Sequence, residues 1–265
     1  MSTDILARIL EVKREEVILG KAKQSRSELE ARIADLPPPR EFAAALKARA
    51  VASQDAVIAE IKRASPSAGI IRADFDPATL ARSYEAGGAA CLSVLTDRQF
   101  FKGDDAFVAR AREACSLPVL RKEFIIDDWQ VYQTRALGGD ALLLIAAALT
   151  VEQMTDFAEL GESLGLSILI EVHDNDELER ALRVPGDLLG INNRDLHRFV
   201  TDLETTLTLA PRVPDDRLVV SESGIHGPAD IHRLQSGGIG AFLIGESFMR
   251  EADPGAALAR MISAP

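Results

Sequence analysis

The chain has 265 residues, with 30 lysines and arginines against 41 aspartates and glutamates, a formal charge of 30 − 41 = −11. A hydrophobic content of 47% excludes a disordered chain, and only 18 glycines and 12 prolines exclude collagen-like or other Gly/Pro-rich material. The acidic balance argues against general nucleic-acid binding, which needs a basic face, but leaves room for a small anionic substrate, because charge at a site can oppose the net charge. At roughly 150 residues per domain the length allows one or two domains, and α/β barrels run to ~250 residues as one. Cys91 and Cys115 form neither a disulfide framework nor a zinc spacing and read as packed thiols in a reducing compartment. The longest apolar run, Ala141–Leu149, is far short of the ~20 residues of a membrane span. Met1-Ser2-Thr3-Asp4 lacks the basic start of a signal peptide, so a cytoplasmic protein without membrane contact is expected.

The first fifty residues differ from the rest. Ile5, Leu6, Ile9, Leu10, Val17 and Ile18 recur at helical spacing, with Ser2, Thr3 or Asp4 as caps. A polar stretch, Lys21 to Glu30, leads to Pro37-Pro38-Pro39, and a short helix is predicted over Glu41–Arg49. Residues 1–50 are therefore expected to be a helical extension packed on the remainder, 51–265, with the whole making a single domain, since fifty residues cannot build a core of their own.

From Val57 a rhythm begins. Aliphatic runs appear at Val57–Ile61, Ala90–Leu95, Pro118–Arg121, Ala141–Ile145, Ser167–Val172, Leu188–Asn192, Arg217–Ser221 and Gly240–Ile244. Helical patterns follow each: Pro77–Ala86, Asp104–Ala114, Asp128–Leu137, Thr150–Leu164, Asn175–Leu182, Asp202–Ala210, Pro228–Gln235 and Pro254–Ile262. Nearly continuous apolar strands alternating with helices imply a parallel sheet covered by helices. Eight such units fit an α/β fold of the (β/α)8, or TIM barrel, type. The alternative is a doubly wound open sheet, weakened by the lack of Gly-x-Gly-x-x-Gly after the first strand.

Barrel enzymes work at the C-terminal ends of their strands, so strands ending in polar residues are informative. Side chains alternate along a strand. If Ile58 faces inward, Glu60 and Lys62 do too; Leu120 shares a face with Lys122, and Leu169 with Glu171. The sixth strand ends in Asn192-Asn193-Arg194 and the seventh in Ser221-Glu222-Ser223. Any one could be a solvated strand end or a structural ion pair. Two lysines and several carboxylates gathered at one mouth form a general acid–base constellation. Ser223-Gly224 after the seventh strand and Gly245-Glu246 after the eighth, the latter opening a short helix to Arg250, can hold a phosphate by backbone N–H groups, although both are also ordinary turns. His173, His197, His226 and His232 show no triad or metal spacing and read as surface or supporting residues. Trp129 reads as a packing residue and Asp127-Asp128 as helix caps.

The run Val57-Ile58-Ala59-Glu60-Ile61-Lys62-Arg63-Ala64-Ser65-Pro66-Ser67 resembles the signature of the indole-3-glycerol-phosphate synthase family of tryptophan biosynthesis. The resemblance continues through Leu92–Asp97, Pro118–Asp127, Leu169–His173, Gly190–Leu196, Ser221–Ile225 and Leu243–Glu246, covering nearly the whole chain. It implies a carboxy-lyase that converts 1-(2-carboxyphenylamino)-1-deoxyribulose 5-phosphate to indole-3-glycerol phosphate, carbon dioxide and water, without metal or organic cofactor. By the same resemblance Lys122 is the general acid, Lys62 holds the anthranilate carboxylate, Glu171 takes a proton and Glu60 assists. Asn192 and Glu222 hydrogen-bond sugar hydroxyls or catalytic groups. Ser223, Gly224, Gly245 and Glu246 bind phosphate, with Ser65 and Arg194 nearby, while Phe124 and Phe101 pack on the aromatic ring. Family members often carry serine in place of Glu246. A monomer or weak dimer is expected, with the N-terminal helices as a lid or, alternatively, an interface. The rival readings are a sibling phosphate barrel such as phosphoribosylanthranilate isomerase, which needs a first-strand cysteine that is missing here, and a non-catalytic phosphosugar-binding barrel.

Overall fold

The computed structural model describes residues 5–195 and 200–262; the expected caps Ser2, Thr3 and Asp4, together with Leu196 and His197, lie outside them. Eight parallel strands close on themselves: β1 (Ala56–Ile61), β2 (Cys91–Leu95), β3 (Val119–Lys122), β4 (Ala141–Ile145), β5 (Ser167–Val172), β6 (Leu188–Asn192), β7 (Leu218–Glu222) and β8 (Ala241–Ile244), with β1 pairing both β8 and β2. Closure excludes the open doubly wound sheet. The strands fall within a residue or two of the hydrophobic runs, because a strand buried on both faces must be apolar along its whole length.

Three helices precede the barrel: α1 (Ile5–Lys23), α2 (Arg26–Ala34) and α3 (Phe42–Val51). The others follow the strands: α4 (Pro77–Ala86), α5 (Ala106–Ala114), α6 (Asp128–Ala136), α7 (Val151–Ser163), α8 (Asn175–Ala181), α9 (Glu204–Leu209), α10 (Pro228–Ser236), and after β8 a single turn, α11 (Glu246–Met249), then α12 (Pro254–Ile262). Asp127 caps α6 as expected, accepting from the Trp129 N–H at 3.0 Å. Helix α9 starts two residues later than the pattern Asp202–Ala210 and ends one residue earlier, the early end coming where Pro211 has no N–H to continue the ladder and the chain tightens into a 3-10 turn.

Two layers of core meet at the sheet. Inside the barrel, Ala56, Ile58, Leu120, Leu143, Leu169, Leu188, Val220 and Leu243 pack together. The alternate positions, among them Val57, Ala59, Leu92, Leu144 and Ile170, pack outward against the helices. This parity sends Glu60, Lys122, Glu171 and Glu222 inward, one step beyond Ile58, Leu120, Leu169 and Val220.

The N-terminal segment touches the barrel at three levels. Ile5, Leu6 and Ile9 of α1 roof the cavity at the strands' C-terminal ends. Helix α2 lies on α6, with Leu29 buried against Trp129 and Tyr132, and the Trp129 Nε1–H donates to the carbonyl of Gln24 at 2.9 Å. Helix α3 closes the opposite end, with Phe42 and Leu46 fully buried in the interior cluster. Helix α2 occupies part of the stretch read above as polar connection. Its signal is local: Ser25 accepts from the Glu28 N–H while the Glu28 carboxylate accepts from the Ser25 N–H, a capping box that starts a helix with little apolar surface. Ser25→Ala removes one half of that box. Equilibrium urea unfolding is expected to show a loss of about 1 kcal/mol, and an unchanged midpoint would show that α2 is held by Leu29 alone.

Candidate active site

One cavity opens at the C-terminal ends of the strands. Its wall brings together Glu60, Lys62, Ser65, Phe101, Lys122, Phe124, Glu171, Asn192, Arg194, Glu222, Ser223, Gly245 and Glu246. Gly224 alone among the residues singled out from the sequence is absent from the lining. It sits in a left-handed turn (φ +79°) directly after Ser223 (φ +64°), facing Thr201 and Leu203.

Lys122, the last residue of β3, crosses the barrel interior. Its Nζ donates to Glu171 Oε2 at 2.7 Å and to Glu222 Oε2 at 2.6 Å. Lys62 Nζ donates to Glu60 Oε2 at 2.5 Å. Asn192 Nδ2 donates to Glu171 Oε1 at 3.2 Å. The result is a buried network of alternating charge in which each ammonium faces carboxylate.

The network sorts its acids. Burial disfavours the Lys122 ammonium, but Glu171, Glu222 and Glu60 overcome this and hold it protonated well above the ordinary lysine range. Burial also disfavours the Glu171 carboxylate; Lys122 and His173 reverse the effect and keep it well below the usual range. Glu222 goes the other way. Burial and then the neighbouring Glu171 charge push it up to about 7, against the pull of Lys122. Its Oε1 is buried with no hydrogen-bond partner among the described residues, which suits a carboxyl group that keeps its proton near neutrality. Two carboxylates sharing one cation thus titrate apart.

His173 is a residue the sequence reading placed only in a supporting role. It lies two positions past Glu171, so the alternation that found Glu171 also points to it. Its Nε2 is 3.3 Å from Glu171 Oε1 and its Nδ1 3.0 Å from Glu177 Oε2. Burial lowers its affinity for a proton, but the two carboxylates beside it, Glu171 and Glu177, raise its pKa to about 10.

Two glycines make room for the carboxylates. A Cβ at Gly190, facing inward on β6, would strike Glu222 Oε1. A Cβ at Gly245 would strike Glu60 Oε2 and lie 2.9 Å from its Cβ. Sequence reasoning assigned Gly245 to phosphate; packing of Glu60 gives a second reason for glycine there, and Gly190 was missed because its requirement comes from a side chain on the neighbouring strand β7.

On the far side, Arg194 donates through Nη1 to Ser67 Oγ at 3.2 Å. Glu246, at the start of α11, is turned toward Arg250, whose Nη2 donates to Oε1 at 2.6 Å. Although partial burial disfavours its charge, Arg250, Lys62 and Arg194 keep its carboxyl below the ordinary range. Phe101 and Phe124 lie with ring centroids 6.1 Å apart along one wall. With Ile5, Leu6 and Ile9 above them, they give the cavity an apolar side beside its charged floor.

The model of the indole-3-glycerol phosphate synthase family matches residues 6–261. A protein of Acidithiobacillus ferrooxidans named indole-3-glycerol phosphate synthase is 54% identical over 256 residues, covering 97% of each chain. A protein of the same name from Aromatoleum aromaticum is 53% identical over 256 residues, covering 97% of this chain and 98% of its own. Solved structures share the fold at low identity. The tryptophan synthase α subunit of Legionella pneumophila superposes with a TM-score of 0.62 at 13% identity over 83% of this chain and 96% of that one. The N-acetylmannosamine-6-phosphate 2-epimerase of Clostridium perfringens gives 0.58 at 15% over 75% and 89%. Full-length similarity above half identity, on a closed barrel with this mouth, shows that the chain belongs to the indole-3-glycerol phosphate synthase family, carboxy-lyases of tryptophan biosynthesis.

Proposed function

We propose that the cavity closes the pyrrole ring of 1-(2-carboxyphenylamino)-1-deoxyribulose 5-phosphate, with loss of carbon dioxide and then water, by lysine and glutamate acid–base chemistry. The observation that carries this reading is the Lys122 ammonium held between Glu171 and Glu222 at the bottom of a mouth that also holds the Lys62–Glu60 pair. The aromatic carbon bearing the carboxylate attacks the ribulose carbonyl, whose oxygen gains negative charge and accepts a proton from Lys122. The bond to the carboxylate then breaks; carbon dioxide departs and its electron pair restores the aromatic ring. The new hydroxyl takes a proton from a lysine ammonium at the mouth and leaves as water, while Glu171 takes the proton from the adjacent ring carbon, whose C–H electron pair becomes the new double bond.

Lys62 pairs with the carboxylate before it is lost, holding the reactive conformer, while Glu60 orients Lys62. Asn192 steadies Glu171 and, with Glu222, meets the sugar hydroxyls. Phe101 and Phe124 flank the aromatic ring. Phosphate is held by main-chain N–H groups at Ser223, Gly224, Gly245 and Glu246, with Ser65 and Arg194 alongside. The Glu246 carboxylate, engaged by Arg250, leaves its own N–H for that purpose. No helix among the described residues is long and apolar enough to cross a membrane, and the expected partner is this one small substrate.

Supplying that substrate without added metal and following indole fluorescence tests the reaction directly. Lys122→Ala is expected to cut turnover by at least the ~10²–10⁴-fold of a general acid while calorimetry still detects binding of indole-3-glycerol phosphate. A variant that keeps most of its kcat removes Lys122 from the chemistry. Gly190→Ala is expected to push the Glu222 carboxylate off Lys122 and lower kcat by about 10²-fold, as a misplacement of ~1 Å can, with KM little changed.

Glu222→Gln tests the raised pKa. In the wild type the folded state keeps a proton that the unfolded chain has released, so the stabilisation from this group is complete below the ordinary glutamate range and is lost as pH rises through about 7. Urea midpoints at pH 5 and pH 8 are therefore expected to fall more for the wild type than for Glu222→Gln, the His173 contribution being common to both. Equal falls would place the Glu222 titration elsewhere.

A further inference from the structure

Away from the acid–base network, a second buried charge cluster joins the roof of the cavity to its aromatic wall. Lys13 of α1 is 3% exposed, although it lies on a helix whose other buried residues are apolar. Its Nζ lies 2.9 Å from Glu123 Oε1 and 3.3 Å from Asp97 Oδ2, and it donates to Glu16 Oε2 at 2.5 Å. Glu16 is half-exposed and lies on the same helix, one turn on. Asp97 and Glu123 belong to the barrel, just past the ends of β2 and β3, and both are almost fully buried.

The two barrel carboxylates also shape backbone. Asp97 Oδ1 accepts from the N–H groups of Phe100 at 2.7 Å and Phe101 at 3.1 Å. Glu123 Oε1 accepts from the N–H of Phe124 at 2.8 Å, while its Oε2 accepts from Thr96 Oγ1 at 2.7 Å. One ammonium on the roof helix thus neutralises the two carboxylates that fix the turns presenting Phe101 and Phe124. Arg121 lies 3.8 Å from Glu123 Oε2, too far for a hydrogen bond, and is itself engaged with Asp105 and Gln133. Without Lys13, Asp97 would have no cationic partner within 4 Å among the described residues.

Three buried charged groups used only to attach a helix would be an expensive choice, since apolar residues of similar size often do as well or better. What apolar residues cannot do is make the seating of α1 and the geometry of two separate loops depend on one atom. We propose that Lys13 is a positioning residue: through Asp97 and Glu123 it ties closure of α1 to the placement of Phe101 and Phe124, and so sets recognition of the aromatic half of the ligand. The proposal deepens the functional reading above and rests on its assignment of those two rings to the aromatic moiety.

The test separates the aromatic half of the ligand from the phosphate half. Lys13→Met keeps length and removes charge. It is expected to weaken indole-3-glycerol phosphate binding, measured calorimetrically, and to raise KM by tenfold or more, with kcat at saturation changed less than threefold. Binding of glycerol 3-phosphate, which lacks the ring, stays unchanged. Lys13→Arg recovers most of the loss, and Glu16→Gln, which leaves both barrel carboxylates engaged, has no effect. Amide hydrogen exchange at Phe100 and Phe101 accelerates in Lys13→Met and returns in Lys13→Arg. If Lys13→Met does not fold, Asp97→Asn, which keeps an amide oxygen for the two N–H groups, is expected to give the same KM increase. Equal losses for the two ligands, or a lowered melting temperature with unchanged KM and unchanged exchange, overturn the proposal. Failure of the wild type to turn over the carboxyphenylamino substrate would instead overturn the functional reading, while the exchange comparison would still decide whether Lys13 holds the Phe101 turn.

Discussion

An ammonium group held between two carboxylates inside a barrel is costly to desolvate, and the architecture around Lys122 is arranged so that the cost is met by partners on neighbouring strands. Glu171 on β5 and Glu222 on β7 come within 2.7 Å and 2.6 Å of Nζ, and the strands that carry them hold their spacing through backbone pairing with β6. Such a cluster is stable only when every member is present: removing one partner leaves a buried charge uncompensated. The barrel interior below it, from Ile58 to Leu243, is packed mainly with apolar side chains that cannot take a lost partner's place. Rigidity of the site therefore follows from the fold, because side chains at the ends of paired strands cannot drift independently.

Asymmetry within that cluster is what makes it chemically useful. Glu171 has Lys122, Asn192 and His173 around it; Glu222 has Lys122 and a buried oxygen without a partner. The first is held ionised, and the second keeps a proton to about pH 7. A proposed base and a group able to donate a hydrogen bond thus coexist on one cation. Gly190 and Gly245 are part of the same design. The space a Cβ would take on β6 and after β8 is filled by the carboxylate ends of Glu222 and Glu60, so small residues on two elements set the positions of acids on two others.

The barrel was legible because its signal is redundant: eight strands buried on both faces must each be apolar, and one misplaced boundary does not change the count. Alternation then carried Glu60, Lys62, Lys122 and Glu171 to one mouth on the condition that Ile58, Leu120 and Leu169 face inward, which the interior cluster meets. What escaped depends on pairs of residues far apart in sequence. Gly190 is explained by Glu222, and Lys13 by Asp97 and Glu123; no periodicity links them. Lys13 sits one turn from Ile9 and one from Val17, on the face of α1 that docking on the barrel buries. Helix α2 escaped for the opposite reason, its signal being short and local, a capping box with a single fully buried leucine behind it.

Net charge and local charge now fit together. A chain with formal charge −11 gathers Lys62, Lys122 and Arg194 around one cavity and sets a carboxylate beside each, including Glu246 at 3.9 Å from Arg194. Before ligand arrives these cations are neutralised within the protein, which lowers the cost of holding them together. A doubly anionic ligand of the proposed kind would then exchange with internal carboxylates for the same cations, gaining less from raw attraction than from the arrangement already in place. In the proposed reading, specificity comes from what the carboxylates cannot imitate, namely a flat ring set between Phe101, Phe124 and the roof of α1. That division of labour, cations on the floor and apolar surface above, is why the N-terminal helix belongs to the site as much as the strands do, even though most of its length lies outside it.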